Sequence, residues 1–199
     1  MSFERYAQTS RTREALLAAA RQLLTDQVTL TIPAAAEAAK VSRATAYRYF
    51  SDPSVLAAEA GLDVTTRPYE DLVGDCHNAH ERAQVVALSF FDQAIKHEAE
   101  FRSYLSLWLN SWRQDGGAPT RGGRRIEMFR MALADDRHRI GDDACERLVH
   151  ELSVATGTEA MIALLDVAGA DRDTARATVA HMVDALVTGT LGKAKTAEQ

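Results

Sequence analysis

Apolar residues first recur at helical spacing between Thr12 and Leu24, where Leu16, Ala19, Ala20 and Leu24 share one face and Leu17 and Leu23 flank it. This periodicity predicts an amphipathic helix that buries the back of a small helical unit. Thr31-Ile32-Pro33 predicts a second helix start, with Thr31 as cap and Pro33 in the first turn, running through Ala34 to Ala39 with Glu37 outward. Ser42 then caps a third helix, Arg43 to Phe50, of about two turns. On it Ala46 and Phe50 share a face, while Arg43, Thr45, Tyr47, Arg48 and Tyr49 spread around the rest. Asp52-Pro53 opens a fourth helix through Val55, Leu56 and Leu62.

Beyond Arg67-Pro68 the pattern remains helical. Tyr69 to Trp112 reads as helix with a break between His97 and Glu100. Leu88, Phe91 and Ile95 form one stripe, and Phe101, Tyr104, Leu105, Trp108 and Trp112 form another. Gln114 to Gly123, with four Gly and one Pro, reads as a loop. Ile126, Met128, Phe129, Met131 and Leu133 make the next segment amphipathic, and Asp135 to Asp143 is loop-like. Ala144 to Ala168 reads as one long helix and Asp171 to about Gly189 as another, with Asp171 suited to its start. The fold class is therefore all-α.

The 199 residues are 46% hydrophobic and 26% charged, an ordinary globular composition with room for a sizeable core. The net charge of −5 weighs against nucleic acid, but its distribution does not: through residue 60 there are seven Lys/Arg and six Asp/Glu, leaving 16 and 22 in the remainder. Cys76 and Cys145 lie far apart, which fits reduced thiols. The absence of a signal-type apolar run and of a membrane-spanning stretch leads to the expectation of a cytoplasmic chain with no membrane partner. Cys76-His77-Asn78-Ala79-His80 would set two imidazoles on one helical face beside a thiol, yet no further ligand follows at telling spacing, so no metal is expected. No nucleophile elbow, P-loop or dinucleotide fingerprint occurs, so neither catalysis nor a cofactor is expected.

The outward side of Arg43 to Tyr49 is hydrogen-bonding and cationic. An Arg or Thr near a helix N-terminus reaches base edges, and a Tyr hydroxyl or Arg one turn later holds phosphates. Small side chains in Ala34 to Ala39 and the short link Ala39-Lys40-Val41-Ser42 suit a helix-turn-helix. From Arg11 to Leu56 the chain resembles the N-terminal domain of TetR-family bacterial transcriptional regulators. The residues carrying this are Val28-Thr29-Leu30-Thr31-Ile32, Ala35-Glu37-Ala38-Ala39, Val41 through Phe50, and Val55-Leu56. The family usually has Gly where this chain has Lys40, Gly shortly before the second helix where this chain reads Asp26-Gln27-Val28, and Lys where it has Pro53. A left-handed corner at Lys40 would cost roughly 1 kcal/mol.

The resemblance implies a three-helix helix-turn-helix domain over 1–52 and a larger helical ligand-binding and dimerisation domain over 53–199. DNA contacts would come from Thr31, Ser42, Arg43, Ala44, Thr45, Tyr47, Arg48 and Tyr49. An aromatic stripe is core more often than ligand box, but Ser103, Ser106, Asn110 and Ser111 interleave with this one. Phe91, Phe101, Tyr104, Trp108, Trp112, Met128 and Met131 are thus the candidate effector wall. In the family the last two helices pair with those of a second subunit, which assigns a homodimer interface to Leu152, Glu159, Ile162, Met182 and Leu186. The implied function is a repressor released from a near-palindromic double-stranded operator by a small, largely apolar effector. The alternative is an architectural or protein-interaction DNA-binding protein without an effector.

Overall fold

Local capping by Thr31, Ser42, Asp52, Asn78 and Asp171 sets five of the helix starts. In this computed structural model, which describes residues 3–63, 67–115 and 123–197, every regular element among the described residues is helical. The order is α1 Phe3–Thr25, α2 Ile32–Ala38, α3 Arg43–Tyr49, α4 Pro53–Asp63, α5 Tyr69–Val73, α6 Ala79–Lys96, α7 Glu98–Asp115, α8 Arg124–Ala132, α9 Arg137–Ile140, α10 Asp142–Val154, α11 Gly157–Ile162 and α12 Arg172–Ala197. A 3-10 turn at Ala134–Asp136 and a π-helical turn at Ala163–Val167 complete it. No single helix among the described residues is long and apolar enough to cross a membrane. Most of the Gln114 to Gly123 loop lies outside the described residues.

Two compact units emerge, and each is discontinuous in sequence. The first joins residues 1–65 to 99–123, and the second joins 66–98 to 124–199. Within the first unit, α7 contributes Tyr104, Leu107 and Trp108 to the core.

In the first unit, α1 starts at Phe3 rather than Thr12, since nothing between them breaks a helix. Leu16, Leu17 and Ala20 of α1 pack with Ile32, Ala35 and Ala36 of α2, Ala46 and Tyr49 of α3 with Phe50 at its C-terminal end, Val55, Leu56 and Ala60 of α4, and Tyr104 of α7.

Both turns of this unit close in the same way. At the end of α1, the Val28 amide donates to the Leu23 carbonyl at 2.9 Å and the Gln27 amide to Leu24 at 3.2 Å. At the end of α2, Val41 donates to Ala36 at 2.9 Å and Lys40 to Glu37 at 3.1 Å. These are Schellman closures, which place one residue in left-handed backbone. That residue is Gln27 at φ 57° and Lys40 at φ 55°, the only positive-φ non-Gly residues among those described. Gln27→Gly and Lys40→Gly should therefore each stabilise the chain by about 1 kcal/mol, read as a higher urea midpoint at unchanged m-value. A lower midpoint in both would contradict this account of the turns.

The second unit is built around α6, whose Ala79, Ala83, Val86, Ala87, Phe91 and Ala94 are buried on one face. It packs against α8, α11 and α12. Tyr69 to Lys96 is not one helix, because Asn78 caps α6 by accepting from the Glu81 amide at 2.9 Å while Glu81 accepts from the His77 amide at 2.7 Å. Asp135 to Asp143 is not a plain loop, since it carries α9. There Arg137 bonds Asp142 and Glu146, and Arg139 bonds Asp136.

The predicted helix Ala144 to Ala168 is interrupted. Gly157 has φ 81°, and the Arg125 side chain from α8 occupies the place a Cβ would take, with Nη1 2.0 Å from that position. Arg125 donates to the Thr156 carbonyl at 3.2 Å, to Ser153 Oγ at 3.0 Å and to Glu159 at 3.3 Å. A cation from another helix thus takes up one backbone acceptor at the break, the Thr156 carbonyl.

Candidate nucleic-acid interface

Two short helices and the turn between them form the candidate site. The Thr31 hydroxyl accepts from the Ala34 amide at 3.2 Å, and Ser42 accepts from the Thr45 amide at 3.0 Å. Ser42 Oγ also lies 2.8 Å from Thr45 Oγ1. The two cap residues, both expected to meet DNA, are exposed and first serve to start their helices.

The buried side of α3 is Ala46, Tyr49 and the following Phe50. Arg43, Ala44, Tyr47 and Arg48 are exposed, and Thr45 is partly so. Tyr49, expected to face outward, is only 9% exposed and joins the unit's core. The reason is its position three residues after Ala46 and one before Phe50, which turns its ring inward with them. Its ring still meets the Arg48 guanidinium, 5.6 Å from the centroid. Arg43 and Lys40 enter no ion pair among the described residues. The outward edge of α3 is therefore a free guanidinium, a methyl group, a half-exposed phenol and a second guanidinium.

No protein-family model, curated protein or solved structure matches this chain.

The seven residues expected to form an effector wall divide between the units: Phe101, Tyr104, Trp108 and Trp112 in the first, Phe91, Met128 and Met131 in the second. Tyr104 is 6% exposed and belongs to the core, with Trp108 packed against it. Phe101 is half-buried and Trp112 exposed; Phe91 and Met128 are buried, and Met131 is exposed.

Of the residues expected at a dimer face, Leu152 is fully buried in its own unit, because it continues the Cys145, Leu148 and Val149 side of α10. Glu159 bonds Arg125, and Ile162 is partly buried. Met182 and Leu186, with His150, Glu151, Val154 and Ala155, line an open apolar groove of about 400 Å³ between α10 and α12. Val154, which sequence reasoning left out, is 77% exposed there. The Cys76 to His80 segment does not place both imidazoles on one helix face. His77 precedes α6, and His80 pairs with Asp184 at 2.8 Å.

Sequence reasoning also missed the group that ties this unit together. Arg13 donates from Nε and Nη2 to Glu59 at 2.7 and 2.6 Å, and Tyr104 donates its hydroxyl to the same carboxylate at 2.5 Å. The Arg13 guanidinium also lies 4.5 Å from the centroid of the Phe50 ring. Burial works to lower the Arg13 pKa, but the bonds and charge of Glu59 outweigh it and hold the guanidinium above its ordinary value. A signal was present: Arg13 sits on the helical period of Leu16, Leu17 and Ala20, and Glu59 on that of Leu56 and Ala60. Opposite charges on two apolar stripes point to a buried pair.

Proposed function

We propose that the chain is a DNA-binding transcriptional regulator of the TetR type. It acts as a homodimeric repressor whose α2–α3 pair is a helix-turn-helix with α3 in the major groove. The observation that carries this reading is the division of α3, which is anchored by Ala46, Tyr49 and Phe50 and leaves Arg43, Ala44, Tyr47 and Arg48 outward. Arg43 is suited to a guanine edge, the Ala44 methyl to a thymine methyl, and Tyr47 and Arg48 to phosphates. Two such heads on inverted half-sites need a two-fold dimer. The groove between α10 and α12 suits a second copy, since Met182 and Val154 stand exposed there and Ala177, Ala185 and Gly189 repeat along α12 on exposed positions.

Release by a small apolar effector is the part of the proposal supported by resemblance. Such release requires the effector to bind more tightly to a state that does not fit DNA. The double-stranded operator, the effector and the second copy are the partners proposed, with no cofactor and no catalysis.

Arg43→Ala tests the reading at the base edge. It should weaken binding to duplex flanking the protein's own coding region by roughly 10- to 100-fold, with relaxed preference at one base pair, in gel shifts at fixed salt. Arg48→Ala should instead weaken all duplexes alike and flatten the salt dependence. Unchanged affinity and preference in Arg43→Ala would remove α3 as the reading element.

A further inference from the structure

One face of α7 is fitted to the end of α3. Tyr104, Trp108 and Ser111 recur at a spacing of four and then three, so they share a side of the helix. Tyr104 bonds Glu59, which grips Arg13, which lies over the ring of Phe50, the residue that caps α3. Trp108 packs on the same core. Ser111, 4% exposed, has its hydroxyl 3.0 Å from that of Ser51, the residue directly after Phe50. One helix therefore reaches the consecutive residues Phe50 and Ser51 at the C-terminal end of α3 by two routes, directly at Ser51 through the Ser111 hydroxyl and at Phe50 from Tyr104 through Glu59 and the Arg13 guanidinium.

We propose that Tyr104 and Ser111 are positioning residues for DNA recognition: they splint the end of α3 through Phe50 and Ser51 and so fix the angle at which its outward side chains meet the bases. The proposal rests on the DNA-binding reading above. Apolar packing alone would hold α3 in place but leave its tilt loose, because dispersion contacts are non-directional. Hydrogen bonds to a buried carboxylate and between two hydroxyls have preferred directions. Base edges are sensitive to tilt, whereas phosphate attraction is not, so the tethers should matter for specific binding more than for non-specific binding.

The test uses the full chain with Tyr104→Phe and Ser111→Ala, each removing one hydroxyl and no packing atom. Binding is measured on the duplex that the wild type recovers from a random pool and on a scrambled duplex, alongside thermal melting. Each variant should bind the recovered duplex about tenfold more weakly, the size of one lost hydrogen bond. Binding to scrambled duplex should stay within about twofold, because the phosphate-facing cations are untouched. Ser111→Thr, which keeps the hydroxyl, should restore the affinity that Ser111→Ala loses.

Wild-type affinity for the recovered duplex in both variants would overturn the proposal while leaving the DNA-binding reading intact. Equal loss on both duplexes, or variants that melt early but whose folded fraction binds normally, would assign the hydroxyls to stability alone and also overturn it. A wild type that enriches no duplex would overturn the DNA-binding reading, and this proposal with it.

Discussion

Glu59→Ala should cost about 3–5 kcal/mol of stability, the largest loss expected from any single polar replacement in the first unit. Both side chains of the Arg13–Glu59 pair are 12% exposed, so solvent screens little of the interaction. Removing the carboxylate takes away the negative charge that the buried guanidinium binds through two bonds and the oxygen to which the Tyr104 hydroxyl donates. The Tyr104 hydroxyl, which also bonds Arg13, carries no charge and so does not replace the carboxylate. The loss should appear as a lower urea midpoint at unchanged m-value. Replacing the whole group with apolar residues of similar volume, as in Arg13→Met with Glu59→Leu and Tyr104→Phe, should recover most of it, because a buried pair is worth little more than good packing. A Glu59→Ala loss below about 1 kcal/mol would mean that water reaches the pair and that it behaves as a surface salt bridge.

In the second unit the largest expected effect of a small substitution is at Gly157. Gly157→Ala should cost about 2–4 kcal/mol from two separate sources. A Cβ at φ 81° is strained by about 1–2 kcal/mol wherever it points. It would also stand 2.0 Å from Arg125 Nη1, so the guanidinium must leave the Thr156 carbonyl and Glu159. Losing charge-assisted bonds at a partly exposed site adds about 1–2 kcal/mol. The two sources separate in a cycle with Arg125→Ala, in which Gly157→Ala should cost only the strain. Additive losses in that cycle would show that Arg125 does not occupy the Gly157 site in solution.

What could be read from the chain was whatever is decided within about four residues. The caps Thr31, Ser42 and Asp171, the Asp52-Pro53 start and the break at His97 all follow from bonds that the neighbouring sequence can make by itself. The left-handed corners at Gln27 and Lys40 were harder to see, because neither residue is Gly and only the Schellman bonds reveal them. The break before Gly157 depends on a side chain 31 or more residues away, and helical periodicity carries no trace of it. The burial of Tyr49 and Tyr104 was hard to read for a shared reason. A tyrosine is amphipathic, so its letter fits an outward phosphate contact or a ligand wall as well as a core position whose hydroxyl has found a partner. The pairing of α7 with the first unit lay beyond reach as well, since its inner and outer faces carry aromatics alike: Tyr104 is buried and Trp112 is 52% exposed.

The direct test of the central claim is selection of bound duplexes from a random DNA pool by the purified full chain at fixed moderate salt. The account predicts enrichment of one sequence with two inverted half-sites, centred about 10 base pairs or a multiple of that apart. Recovery of these sites should fail with Arg43→Ala. No enrichment, with binding that depends on salt and not on sequence, would contradict the claim that the outward edge of α3 reads bases.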